Sequence, residues 1–202
     1  MTANPPQMSD TPMHARRFRL SPPTQAQRNA ALSEAAQEQL PYAAVGLTRT
    51  QGCPPGYRRT QGRGQLHTQD FAAAKRLLRH WRGFPHWVQV QAQGALHSEQ
   101  NVVVIGHIYG LWVTNMCRVT YVIDEPDAYG FGYGALSAHV EKGEERFLLR
   151  RTPTGQVEYE IYSFSRANHW TTRLVPPITQ HLQRRFIADA ISNLRRQLSP
   201  AK

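Results

Sequence analysis

Four side chains able to move protons stand within seven residues of one another: His139, Glu141, Glu144 and Glu145, joined by the pair Lys142-Gly143. An imidazole among carboxylates can serve as a general acid/base pair, or as part of a metal-ligand set. The same residues also suit a solvated hairpin in which Glu144 and Glu145 pair with Arg146 and other arginines. Parity refines the choice. If Phe147 and Leu149 face the core, Glu145 shares their side, and a carboxylate there needs a partner such as Arg118 or Arg166. Cys117 beside Arg118 offers a second chemistry, because an adjacent cation lowers a thiol's pKa; a small buried apolar residue is the other reading. His107, in an apolar run, reads as a hydrogen-bonded core histidine. Tyr109, Trp112, Tyr121 and Tyr133 provide flat rings with polar edges that can line a pocket. No nucleophile elbow, phosphate loop or dinucleotide fingerprint is present, so no cofactor and no metal is assigned.

These residues fall in a region of alternating hydrophobicity, with strands expected at 87–93, 101–111, 117–124, 129–136, 145–151 and 157–165. Short turns rich in Pro, Gly, Asp and Thr separate several of them, the connection of antiparallel neighbours. In Gly130-Phe131-Gly132-Tyr133-Gly134 one strand face is bare, which implies a bend or the close approach of a ligand or another backbone. The run from Val102 to Tyr109 is apolar on both faces and reads as a covered central strand. A polar edge strand is expected over 57–66, a loop over 42–56, and helices over 25–40 and from Thr68 or Asp70 to Trp81. After Pro176-Pro177 a long helix runs to Leu198, with Ile178, Leu182, Phe186, Ile187, Ile191, Leu194 and Leu198 on its apolar face. The predicted fold is α+β: a curved antiparallel sheet of about seven strands wrapped around the long C-terminal helix, with an apolar cavity between them.

The length of 202 residues suits one domain over 25–198, preceded by a basic, Pro-rich tail over 1–24 that has no periodicity and is expected to be disordered. No apolar run approaches a membrane span and no signal-peptide core is seen, and two cysteines exclude a disulfide framework; the chain reads as cytoplasmic. The formal charge is +10, but residues 1–82 hold twelve Lys and Arg against four Asp and Glu, while 83–202 hold twelve against ten. A basic N-terminal region contacts nucleic acid non-specifically without specifying a fold for it.

Taken in order, the motifs LPYAAVGLTR, PPGYRR, FAAAKRLLRHW, CRVTYVIDEP, GFGYGALSAH, GEERF, FSRANH and LQRRF resemble uncharacterised protein family 0548, a bacterial and plant domain of unknown function. The resemblance covers nearly all but the first twenty or so positions. Two places depart from the family pattern: Met116 stands where it has Pro before the Cys-Arg pair, and Ser137 and Val140 where prolines flank the His. The strand order is similar to helix-grip proteins related to START lipid-transfer domains, pollen allergens and polyketide cyclases. On that analogy the chain is expected to bind a hydrophobic or amphipathic small molecule between sheet and final helix. Tyr109, Trp112, Cys117, Arg118, Tyr121, Tyr133, His139, Glu145 and Arg166 are the candidate lining. The alternative is an enzyme of cyclase, dehydratase or hydrolase type, with His139 and Glu141 or Glu145 as acid and base. A basic nucleic-acid-interacting protein is the third reading.

Overall fold

A computed structural model describes residues 17–137, 139, 141–167 and 176–199, the side chains of 167 and 176–179 excepted. Residues 1–16 of the expected tail, Ile178 of the helical ridge and His169 of the FSRANH motif lie outside that description. In chain order the elements are β1 (Phe18–Arg19), α1 (Gln25–Gln37), a 3-10 turn (Leu47–Thr50), β2 (Arg58–Gln65), α2 (Phe71–Arg79), β3 (Val88–Gln91), β4 (Asn101–Ile108), β5 (Leu111–Glu125), β6 (Ala128–Ala135), β7 (Glu141–Arg151), β8 (Val157–Ala167) and α3 (Pro176–Leu198). All strand pairs are antiparallel, in the order β2-β8-β7-β6-β5-β4-β3, and β1 adds to β5. The expected α+β architecture is present. Among the described residues no helix is long and apolar enough to cross a membrane.

Two layers flank the sheet. On the inner face α2 and α3 bury Ala74, Leu78, Ile187, Ala190, Ile191 and Leu194 against Phe131, Phe147, Leu149 and Tyr159. Bare backbone lets α3 lie close. A Cβ built at Gly62 would sit 2.6 Å from Ile187 and one at Gly64 2.9 Å from Ile191, so both positions on β2 are reserved for hydrogen. On the outer face α1 covers Val103, Ile105, Met116 and Leu136 through Ala31, Leu32 and Ala35. β4 is thus covered on both sides, as its unbroken apolar run implies.

Local chemistry sets the helix ends. Thr24 caps α1 in a box with Gln27, each side chain accepting from the other's backbone N–H. Asp70 accepts from Ala73 N–H at the start of α2. That helix stops at Arg79, short of Trp81, because Trp81 turns into the left-handed region (φ 61°) and Arg82 N–H reaches back to Leu77 C=O. The strand expected over 101–111 also ends early: Tyr109 and Gly110 both have positive φ and form a tight hairpin, after which β5 runs unbroken for 15 residues.

The bare glycine face of β6 points away from α3. A Cβ at Gly132 would strike the Tyr121 ring (2.4 Å) and one at Gly134 the Tyr42 hydroxyl (2.0 Å), so the chain's own tyrosines occupy the space. The 42–56 segment, expected as a surface loop, is fastened to the outer face beside them. Thr48 is fully buried there, and the cause is Glu144. Its carboxylate accepts from Tyr42 Oη (3.3 Å), Gly46 N–H (2.7 Å), Thr48 N–H (3.1 Å) and Thr48 Oγ1.

Candidate functional site

Strand register lays polar side chains in a row at one end of the inner face. Tyr133 on β6 stands opposite Glu145 on β7, Glu145 opposite Ser163 on β8, and Ser163 opposite Thr60 on β2. The neighbouring row is apolar, with Phe131, Phe147, Ile161 and Gly62 in the same succession. On its other side the register pairs Ser165 with Gly143 and Arg58. Within a few residues along each strand the inner face therefore passes from aromatic to polar.

Gln183 from α3 closes over this polar end. Its amide N–H groups donate to Glu141 Oε2 and Ser165 Oγ, both at 3.1 Å, and its carbonyl accepts from Thr60 Oγ1 at 3.0 Å. Tyr133 Oη donates to Glu145 Oε2 at 2.9 Å. Among the described residues Glu145 has no ion pair. Burial raises its carboxyl to about 7 from an ordinary 4.5, against the opposing Tyr133 hydrogen bond and with a small push from Glu141. Burial also raises Glu141, against Arg58 and its hydrogen bonds from Gln183 and Ser165. His139 moves the other way, to about 4, through desolvation and then the positive charge of Arg17; its Nδ1 accepts from Glu141 N–H at 3.0 Å. The imidazole is neutral at pH 7. Yet His139, Glu141 and Glu145 each keep some accessible surface. Glu141 and Glu145 are thus part-buried at this polar end, while His139 lies toward the charge of Arg17.

The candidate lining divides between the two faces. Cys117, Tyr133 and Glu145 share the inner one. Cys117 is not activated: Arg118 points to the opposite side, and burial pushes the thiol up. Arg118 is also no partner for Glu145. It holds the C-terminal end of α1, donating to Ala35 C=O (3.0 Å), Glu38 C=O (2.9 Å) and Asn101 Oδ1 (2.8 Å). Arg166 is exposed and lies over the Tyr57 ring, 4.7 Å from its centroid. A β-bulge between Val119 and Tyr121 reverses parity, which carries Tyr121 to the outer face and its hydroxyl to 2.7 Å from Thr48 Oγ1. Trp112 is outer too, stacked at 4.5 Å on His107, which is exposed and not a core histidine. Tyr109 is 69% exposed at the hairpin tip. Nor do Glu144 and Glu145 pair with Arg146, whose acid partner is Glu160.

Thr60, Ser163, Ser165, Gln183 and Arg58 belong to this polar end and escaped the sequence reading. Alternation in Tyr162-Ser163-Phe164-Ser165 marks both serines as one face, but only the register sets that face beside Glu145. Among the described residues no three His, Cys, Asp or Glu side chains gather to hold a metal ion.

Comparison with known proteins agrees with the motifs. Residues 41–193 match the family model described as "Domain of unknown function (DUF1990)". A UPF0548 protein of Deinococcus radiodurans is 35% identical over 191 residues, covering 83% of this chain and 92% of that protein. One from Dictyostelium discoideum is 31% identical over 138 residues, covering 61% and 64%. Among solved structures, the hypothetical protein jhp0584 from Helicobacter pylori matches with a TM-score of 0.53 at 10% identity, over 72% of this chain and 91% of that one, a likeness of fold alone. The chain therefore belongs to the DUF1990 family and is a relative of the UPF0548 proteins.

Proposed function

We propose that the chain binds an amphipathic small molecule between sheet and α3, its polar end at Tyr133, Glu145, Ser163 and Thr60 and its apolar part toward the aromatic layer. The observation that carries this reading is Glu145. A desolvated carboxyl with no cation among the described residues costs stability, and its phenolic hydrogen bond leaves acceptor capacity and, when protonated, a donor. Such a group is complementary to a ligand hydroxyl, carbonyl or amide. Aromatic rings stand beside it: Tyr133 and Phe147 are 5.3 Å apart, Phe84 and Phe147 4.9 Å, Phe84 and Phe186 5.9 Å.

Native mass spectrometry of protein purified from its own source is expected to reveal a co-purifying molecule. Glu145→Gln and Tyr133→Phe should lower its occupancy while leaving the fold intact. Protein free of bound mass that also fails to bind 1-anilinonaphthalene-8-sulfonate would remove the proposal.

Glu145 also predicts a pH signature. Its folded pKa lies above its unfolded value, so the protonated folded form is favoured and stability contributed by that proton is complete below about 4.5 and lost as pH rises through about 7. His139 has the opposite sign, losing stability as pH falls from 6.5 through about 4. The two trends overlap, so the useful quantity is the difference between wild type and Glu145→Gln in urea unfolding. That difference should move against the wild type between pH 4.5 and 8; a flat difference would mean that Glu145 is solvated.

A further inference from the structure

A second concentration of charge lies on the outer face of β7, β8 and β2, away from the polar end of the inner face. Alternation along these strands turns Arg146 and Arg150, Glu158 and Glu160, and Arg63 outward, with Arg150 opposite Glu158 and Arg63 opposite Glu160. The segment from Arg49 to Gln51 closes one end, and together they line a groove of about 460 Å³. That volume is within the range of about 300–1,000 Å³ usual for small-molecule sites.

The groove is fastened in place and carries unbalanced charge. Glu144 pins Gly46 and Thr48, Tyr162 Oη donates to Gln51 C=O (2.7 Å), and Arg146 Nη1 donates to Arg49 C=O (3.0 Å). Covering the sheet would account for those contacts. It does not account for the cations. Arg146 and Glu160 neutralise each other, and Gln51 Nε2 takes up the same Glu160 oxygen at 2.9 Å. Arg49, Arg63 and Arg150 then face Glu158 alone, and none of the three has an ion pair among the described residues. Arg146, which lines the groove, is 1% exposed, and its buried Nε has no hydrogen-bond partner among the described residues.

We infer that this groove binds a phosphate group, free or carried on a small organic molecule, through Arg49, Arg63 and Arg150. An excess of two positive charges matches a phosphate ester, which carries about −1.5 to −2 at neutral pH, and guanidinium forks suit its oxygens. The inference stands independently of the inner-face proposal.

Isothermal titration of the full chain with inorganic phosphate, and separately with glycerol 2-phosphate, tests it. Saturable one-to-one binding of either is expected, and tighter binding of glycerol 2-phosphate identifies the organic ester as the ligand class. R63Q/R150Q should weaken that binding about tenfold or more, because each lost guanidinium removes charge-assisted hydrogen bonds. Both residues are exposed, so an unchanged Tm is expected for this variant. R76Q/R82Q removes the same charge from exposed positions on α2 and the turn after it, and should leave binding unchanged. No saturable binding of either probe, or equal weakening in the two double variants, overturns the inference.

Discussion

Arg146→Ala should lower the unfolding free energy by about 3–5 kcal/mol, because breaking a buried ion pair from one side strands the other charge. Arg146 and Glu160 are 1% and 6% exposed, on a strand face that the 49–51 segment covers. Without the guanidinium, Glu160 keeps only the Gln51 amide among the described residues, and Arg49 C=O loses the Arg146 donor. Replacing both members, as in Arg146→Met with Glu160→Leu, removes the stranded charge and should recover much of the loss. Urea unfolding of the three variants measures it. A loss under about 1 kcal/mol for Arg146→Ala would mean that water reaches this pair and screens it as on an ordinary surface.

The second large effect belongs to the inner face. Phe147 is fully buried and packs on Phe131 at 5.0 Å, Phe84 at 4.9 Å, Tyr133 at 5.3 Å and Phe186 at 6.2 Å. Phe147→Ala removes a ring from the centre of that layer and should cost about 3–5 kcal/mol, part transfer free energy and part cavity. The same measurement bears on the proposed ligand. A loss below about 2 kcal/mol would indicate that the ring already borders unfilled space, since the cost of truncation depends on how completely neighbours surround the deleted atoms.

Periodicity alone determined a good deal of this protein. Alternating apolar residues between 87 and 165 located the six strands β3 to β8, although β5 begins at Leu111 and β7 at Glu141, ahead of the expected 117 and 145, and three- and four-residue spacing located α2 and α3. The unbroken run in β4 implied cover on both sides, which α1 supplies on one face and the large inner apolar cluster on the other. The motifs from Leu40 onward pointed to the family that comparison shows. All of these are local signals, written in neighbouring residues.

What tertiary structure decided was which side chains meet. The bulge after Val119 moved Tyr121 across the sheet, and a bulge has no dependable signature in the residues that form it. Parity could place Glu145 toward the core, but not choose Tyr133 over Arg118 as its partner, because that depends on how β6 and β7 align and on α1 claiming the arginine. Glu144, one residue away, ends on the other face holding a segment about a hundred residues earlier in the chain. Strand alternation assigns a side chain to one of two faces; only the folded register, set by every strand at once, determines what lies on that face beside it.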